Sequence, residues 1–141
     1  MLDTMLPARL TLPLDCQIES AMNLEKSVEE GGFYYIRKIY YDPIGKILSF
    51  EFMRAPEEKS PVKRFLIFEA IEDYSVEVND SAVEEAEDGV IDSLIALGEY
   101  TEDGNLGYAI TTEDREFNFH TNTKPRIEDV WPQGNLTSAC N

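Results

Sequence analysis

The chain has 141 residues, 43% of them hydrophobic, and its 28 acidic and 12 basic side chains give a formal net charge of −16 at pH 7. This length predicts a single domain, residues 1–141, that buries a core of its own, and the hydrophobic content excludes a disordered chain. The negative charge argues against nucleic acid and anionic membrane surfaces as partners, because both would repel the protein.

The sequence predicts a cytoplasmic protein without a membrane-spanning helix. No apolar run approaches the roughly 20 residues that such a helix needs. The N-terminus lacks the basic and apolar segments of a secretory signal. Cys16 and Cys140 lie near opposite ends of the chain. They either remain thiols, as is usual in the cytoplasm, or pair with each other.

The first third of the chain predicts an extended arm and then a short helix. Two prolines and alternating leucines indicate an extended N-terminal arm over residues 1–14. Asp15 is a suitable N-cap for a helix within Leu14–Glu30, and the Gly-Gly pair at 31–32 would end that helix. The expected inward-facing side chains are Ile18, Met22 and either Leu24 or Val28.

A β-hairpin is predicted next, from Phe33–Tyr41 and Lys46–Met53. The intervening Asp42–Gly45 supplies a turn, with Asp first, Pro second and Gly fourth. Aromatic residues of the first strand stand among Arg37 and Lys38. This mixture is typical either of a binding face for bases or sugars or of ordinary cross-strand packing, and packing is the simpler interpretation.

The segment Arg64–Asn79 is predicted to be the strand around which the sheet is built. It begins with a continuous apolar run, as in a strand buried on both faces. It then alternates polar and apolar residues, as in a strand with one exposed face. The change of pattern predicts a bend or bulge between Ala70 and Asp73.

The remaining chain predicts further strands with short turns. Residues 79–88 read as a loop or a short acidic helix, and residues 90–97 fit either a helix or a strand, with Gly98 favouring the strand. Asp-Gly at 103–104 predicts a tight hairpin turn. The later predicted strands are Leu106–Thr111, Arg115–Thr121 and Arg126–Trp131, and residues 132–141 read as a frayed tail.

Together these elements predict an α+β fold. Its main part would be an antiparallel β-sheet meander of about five to seven strands, with one or two short helices, one of them covering a face of the sheet. A partly closed β-barrel is the alternative, since the number and length of the strands suit either arrangement.

The acidic residues are concentrated in one part of the chain. Residues 65–114 contain fifteen Asp and Glu and no Lys or Arg. The simpler interpretation of this concentration is that the charge serves solubility alone, and the other is an acidic face that binds a basic protein. The residues predicted for this face are Glu69, Glu72, Asp73, Glu77, Glu84, Glu85, Glu87, Asp88 and Asp92.

The sequence contains no recognisable catalytic, metal or cofactor motif. The single histidine, His120, is interpreted as a strand residue rather than a general base, and Cys16 has no neighbouring base to activate it. Glu69, Glu72 and Asp73 would perturb one another's pKa if they met at the predicted bend; otherwise they form a solvated rim. We therefore predict no enzyme activity, no metal site and no cofactor.

One resemblance adds to this interpretation. The run Arg64–Tyr74, preceded by the aromatic hairpin and followed by Ile91–Leu97 and the strand Phe117–Thr121, resembles small acidic β-rich immunity proteins of bacterial toxin systems. The resemblance is one of layout, strand order and acidity, and covers roughly Phe33–Val130. It implies a bacterial protein that binds and blocks a toxin and catalyses nothing. It assigns no particular binding residue.

Two functions follow as expectations, ranked above a third, an enzyme that would use a carboxylate pair or His120 in a pocket between sheet and helix. The first is an acidic binding module, including an immunity-type inhibitor, that docks on a basic protein. The alternative is a structural domain without catalytic activity that forms homo-oligomers through exposed strand edges and aromatic residues such as Tyr34, Tyr40 and Trp131.

Overall fold

A computed structural model describes residues 21–80, 82, 89–131 and 136–138. These residues form one α-helix, α1 (Ala21–Glu29), a 3₁₀ turn at Pro56–Glu58, and nine β-strands. The strands are β1 Tyr35–Asp42, β2 Ile47–Met53, β3 Lys63–Phe68, β4 Glu72–Val78, β5 Asp92–Glu102, β6 Asn105–Thr112, β7 Arg115–His120, β8 Arg126–Val130 and β9 Leu136–Ser138. No helix in this part of the chain has the length and apolar character needed to cross a membrane. The arm predicted for residues 1–14 lies outside the described residues.

All nine strands belong to one sheet in the order β4-β7-β6-β5-β1-β2-β3-β8-β9, and every pair is antiparallel. The predicted α+β fold with a mainly antiparallel sheet is therefore confirmed, although the strands outnumber the five to seven predicted. The ninth strand falls within residues 132–141, the segment predicted to be frayed. In the described part of the chain, β4 and β9 are the two edges of the sheet, so the sheet is not closed into a barrel.

The sheet consists of two half-sheets that face each other. The first half-sheet contains β1, β2, β3, β8 and β9, and the second contains β4, β7, β6 and β5. Only Tyr35–Ile36 of β1 and Asp92–Ser93 of β5 join them in register. Aromatic rings then meet across the core, because Phe50 of β2 lies 5.1 Å from Phe117 of β7. The hydrophobic core is therefore enclosed between the inner faces of the two half-sheets.

Helix α1 packs against β5 and ends at the predicted glycines. Leu24 and Val28 are both buried, which confirms the predicted inward side for these two residues. Gly31 and Gly32 have φ values of 85° and 93°, which favour glycine, and the Gly32 N–H donates to the Glu29 carbonyl over 2.9 Å. Ile18 and the Met22 side chain lie outside the described part of the structure.

Two tight turns form as their sequences predict. In the β1–β2 turn, the Ile44 N–H donates to the Asp42 carboxylate over 3.0 Å, which holds the chain reversal. In the β5–β6 turn, Asp103 and Gly104 have φ values of 52° and 81°, the combination that a type I′ hairpin requires. The segment 90–97 that fitted either helix or strand therefore belongs to a strand, β5, from Asp92 onward.

The predicted bend within Arg64–Asn79 is present, and it separates two strands rather than bending one. Ala70 and Asp73 have positive φ, at 54° each, and the Ile71 N–H between them donates to the Lys46 carbonyl over 3.1 Å. The chain crosses here from β3 in the first half-sheet to β4 at the edge of the second. The two parts of this segment therefore lie in different half-sheets.

Tyr108 on β6 lies in the core, with 2% of its surface exposed and its ring centroid 5.0 Å from that of Phe68. Burial raises the pKa of Tyr108 to about 12, and the Glu99 carboxylate adds to the rise through its charge and through a hydrogen bond. An exposed tyrosine titrates near pH 10. Folded Tyr108 therefore keeps its proton over an interval in which the unfolded chain loses it.

This difference predicts a pH dependence of stability. The contribution of Tyr108 is fully present below about pH 10 and is lost as the pH rises towards 12, because only the unfolded state then gains the favourable ionisation. Between pH 10 and 12, we expect the free energy of unfolding of Tyr108→Phe to fall by about 2–3 kcal/mol less than that of the wild type. Urea unfolding across this interval measures the difference, and parallel stability curves for the two proteins would contradict it.

Candidate functional site

The charge segregation in the sequence becomes a segregation in space. Arg115 and His120 are the only basic residues on the strands of the second half-sheet. Exposed carboxylates on its strands and turns are Glu72, Asp73, Glu77, Glu102, Asp103, Glu113 and Glu116. Basic residues of the first half-sheet and its hairpin turn are Arg37, Lys38, Lys46, Lys63, Arg64 and Arg126. The second half-sheet is therefore the acidic surface of the described molecule.

Two of the predicted site residues pair with bases of the first half-sheet. The Glu69 carboxylate lies 3.0 Å from Arg126, and the Glu72 carboxylate lies 2.7 Å from Lys46. Both pairs are exposed to solvent, so each contributes little to stability. The Glu72 carboxylate raises the pKa of Lys46 by accepting its hydrogen bond and through its charge. These two carboxylates therefore join the half-sheets at the β3–β4 corner.

A third predicted residue, Asp73, contacts the only histidine. His120 Nδ1 lies 3.3 Å from the Asp73 carboxylate, and its Nε2 lies 3.4 Å from Glu102. The two carboxylates approach from β4 and from the end of β5, on opposite sides of the imidazole. The His120 side chain is 20% exposed, so it is half-buried rather than fully solvent-facing.

The ring of Tyr100 packs beside this histidine. Gly107 of β6 is the register partner of both His120 on β7 and Tyr100 on β5, which places the three residues in one row across the sheet. A Cβ at Gly107 would lie 2.5 Å from the Tyr100 ring. A side chain here would displace the Tyr100 ring, and glycine allows this ring to lie 5.9 Å from the His120 ring in an edge-to-face contact.

A cleft of about 500 Å³ opens at this end of the second half-sheet. Its walls come from the β3–β4 corner, the β5–β6 turn and the segment after β7. The lining residues are Ala70, Glu72, Asp73, Asn105, His120, Thr121, Asn122 and Thr123. Almost all of them are polar, unlike the apolar lining typical of sites for drug-sized ligands. The cleft therefore presents mainly polar groups, among them the Glu72 and Asp73 carboxylates.

The other predicted acidic residues have different positions. Glu77 is exposed on β4 and faces Glu116 of β7 in register, so two like charges stand side by side on the acidic surface. Such a pair is destabilising in isolation and favours a cation placed beside it. The predicted residues Glu84, Glu85, Glu87 and Asp88 lie outside the described part of the chain.

Asp92 does not belong to the acidic surface, contrary to the prediction. It is 3% exposed, and its carboxylate lies 2.6 Å from the Arg115 guanidinium. The same carboxylate accepts hydrogen bonds from the Thr112 hydroxyl at 2.7 Å and from the Asp114 and Ser93 N–H groups at 3.1 and 2.8 Å. A buried carboxylate needs these partners, because desolvating an unpaired charge is costly. Asp92 therefore holds the β6–β7 turn.

Four exposed carboxylates of this surface were not among the predicted residues. They are Glu102, Asp103, Glu113 and Glu116. The alternation of β7 contains a signal for Glu116, because buried Phe117 and Phe119 place it on the opposite face. Asp103 and Glu113 lie in hairpin turns, and their exposure could have been predicted because turns are normally exposed.

The geometry around His120 places one carboxylate beside each ring nitrogen. A general base needs an imidazole nitrogen that faces the substrate, but here each nitrogen faces a carboxylate. Among the residues that the structure describes, no group of three His, Cys, Asp or Glu is arranged to hold a metal ion. The imidazole therefore lies between two strand ends, the start of β4 and the end of β5.

Comparison with known proteins gives no match: no family model, no curated protein sequence and no solved structure matches this chain.

Proposed function

We propose that this protein is an acidic binding module that docks on a basic protein through its second half-sheet. The observation that carries the proposal is the separation of charge between the two half-sheets. The bases on the second half-sheet, Arg115 and His120, already face carboxylates, whereas five other described carboxylates are exposed on its strands and turns: Glu72, Glu77, Asp103, Glu113 and Glu116. A basic surface would be attracted to this side of the molecule.

The net charge favours such a partner over a second copy of the chain. Each molecule carries a formal charge of −16, so two copies repel each other at low ionic strength. Self-association through exposed aromatics such as Tyr40 or Trp131 is the alternative function. It predicts a sedimentation mass that rises with protein concentration, whereas the binding-module proposal predicts a constant mass.

An immunity-type inhibitor would be one protein of this kind. Its toxin would need a basic surface, which the acidic half-sheet would cover without any chemical step. The geometry of His120 supports a role without catalysis, because both of its ring nitrogens face carboxylates. The proposal therefore assigns the exposed carboxylates to binding and assigns no residue to catalysis.

The test compares two triple variants that change the net charge equally. The first variant replaces three exposed glutamates on the second half-sheet or in its β6–β7 turn, by Glu77→Gln, Glu113→Gln and Glu116→Gln. The control variant replaces three exposed glutamates away from the second half-sheet, by Glu30→Gln, Glu57→Gln and Glu58→Gln. Proteins captured by each immobilised variant from a bacterial lysate are identified, and the affinity of a purified captured protein is then measured against salt concentration.

We expect a basic partner whose affinity falls about 3- to 150-fold with the first variant and changes little with the control. Three exposed charge pairs at about 0.2–1 kcal/mol each give this range. The affinity should also fall as salt rises from about 0.05 to 0.5 M, because the Debye length shortens. Equal losses with both variants, or no capture at low salt, would count against a docking surface on the second half-sheet.

A further inference from the structure

The outer edge of β4 has backbone groups oriented for an added strand. β4 is an edge of the sheet, and no strand of the described chain pairs with its outer side. The Asn79 N–H donates to the Asp114 carbonyl over 2.8 Å, so this pair is hydrogen-bonded across β4 and β7. Hydrogen-bonded and non-bonded pairs alternate in an antiparallel ladder. With Val78 opposite Arg115, the backbone of Glu77 faces β7, and the backbones of Val76 and Val78 face the open edge.

The side chains of β4 form two different rows along this edge. Val76 is opposite buried Phe117, so Val76 and Val78 lie on the inner face of the half-sheet, where they are 38% and 54% exposed. Glu77 lies on the outer face beside Glu116. An incoming strand would therefore meet apolar side chains on one face and carboxylates on the other.

We infer that β4 accepts an extended segment of the basic partner, in which basic and apolar residues alternate, as an additional antiparallel strand. The inference rests on the proposed function and specifies how the partner binds. Lysine or arginine side chains of the segment would lie beside Glu77 and Glu116, and apolar side chains would cover Val76 and Val78. The occupant is not a second β4, because that pairing would bring the Glu77 carboxylates of two copies onto the same face.

The composition of β4 supports an edge that accepts an added strand and favours basic segments over acidic ones. Edge strands are commonly protected by lysine, proline or bulges. β4 contains neither lysine nor proline, and its bulge lies at one end, where the register with β7 shifts between Glu72 and Ser75. The regular edge from Ser75 to Val78 suits a partner segment of about five to seven residues. Its carboxylates would repel acidic segments and attract basic ones.

The test uses the peptide Lys-Val-Lys-Val-Lys-Val-Lys and a control peptide of the same sequence. The control carries N-methyl groups on alternate amides, which removes strand pairing but keeps every charge. We expect the unmodified peptide to bind the full chain in about 50 mM salt at least tenfold more tightly than the control. Amide exchange should slow at least tenfold at Val76 and Val78 on binding, while the Glu77 amide, which faces β7, should change little.

Two protein variants give a second readout with the unmodified peptide. Glu77→Lys with Glu116→Lys places positive charge beside the added strand, and we expect at least tenfold weaker binding. Glu57→Lys with Glu58→Lys makes the same change in net charge away from β4 and should have a much smaller effect. Unfolding curves confirm that both variants remain folded.

The outcomes separate this inference from the proposed function. Equal binding of both peptides, or binding without alternating protection of Val76 and Val78, overturns strand addition but leaves electrostatic docking in place. Absence of peptide binding at low salt also overturns strand addition. The proposed function itself fails only if the lysate experiment with the two glutamine variants fails.

Discussion

Replacing Asp92 with alanine is expected to lower the free energy of unfolding by about 3–5 kcal/mol, because the buried ion pair with Arg115 and the hydrogen bonds of the Asp92 carboxylate are lost together. The Asp92 side chain is fully buried and the Arg115 side chain is 11% exposed, so little water can reach the site of the lost carboxylate. The substitution also removes the acceptor of the Thr112 hydroxyl and of two backbone N–H groups in and near the β6–β7 turn. Thermal unfolding should shift down by roughly 10–15 °C.

A double-mutant cycle distinguishes this ion pair from general disruption of the turn. The double variant Asp92→Ala with Arg115→Met should lose less free energy of unfolding than the two single variants together. The reason is that the double variant removes both charges of the pair. The exposed Glu113→Ala in the same turn is the matched control and should stay within about 0.5 kcal/mol of the wild type. A loss below about 1 kcal/mol for Asp92→Ala would contradict the assigned role.

Replacing Arg64 with methionine is expected to lower the free energy of unfolding by about 3 kcal/mol. The guanidinium contacts both Asp129 carboxylate oxygens, at 2.7 and 2.9 Å, and lies over the Phe33 ring at 4.2 Å. It also donates to three carbonyls at the end of α1, those of Ser27, Val28 and Glu30. Methionine retains much of the volume but supplies none of these hydrogen bonds.

The effect should be local as well as global. Amide exchange should increase more at the end of α1 than in β6 and β7, because Arg64 joins the helix to β3 and β8. Arg64→Lys should lose about 1–2 kcal/mol, since an ammonium keeps the charge but cannot reproduce the planar set of donors. The exposed Lys38→Met is the control, with little expected change. A uniform rise in exchange across the sheet would contradict the local role of Arg64.

Much of the local structure could be predicted because it depends on neighbouring residues. The Asp42–Gly45 turn follows from the fixed φ of Pro43 and the side-chain acceptor of Asp42, and the Asp103–Gly104 turn follows from the tolerance of Asp and Gly for positive φ. The buried aromatics of β7 follow from a period of two. The change of pattern near Ala70 correctly located the corner between β3 and β4.

The candidate site could be predicted only in part. The concentration of acidic residues in 65–114 indicated an acidic surface, and Glu72, Asp73 and Glu77 are exposed on it. Asp92 has the same chemistry in the sequence, yet it is buried against Arg115. Composition gives the number of charges. It does not show which carboxylate is buried against a cation that lies far away in the sequence.

The sequence by itself determined an acidic, mainly antiparallel β protein with its turns and strand alternation in place. Only the tertiary structure decided that β3 and β4 lie in different half-sheets, that His120 stands between Asp73 and Glu102, and that β4 is an edge of the sheet in the described part of the chain. The physical reason is range. Turn and strand preferences act within a few residues, whereas strand order depends on pairing and burial between segments far apart in the chain.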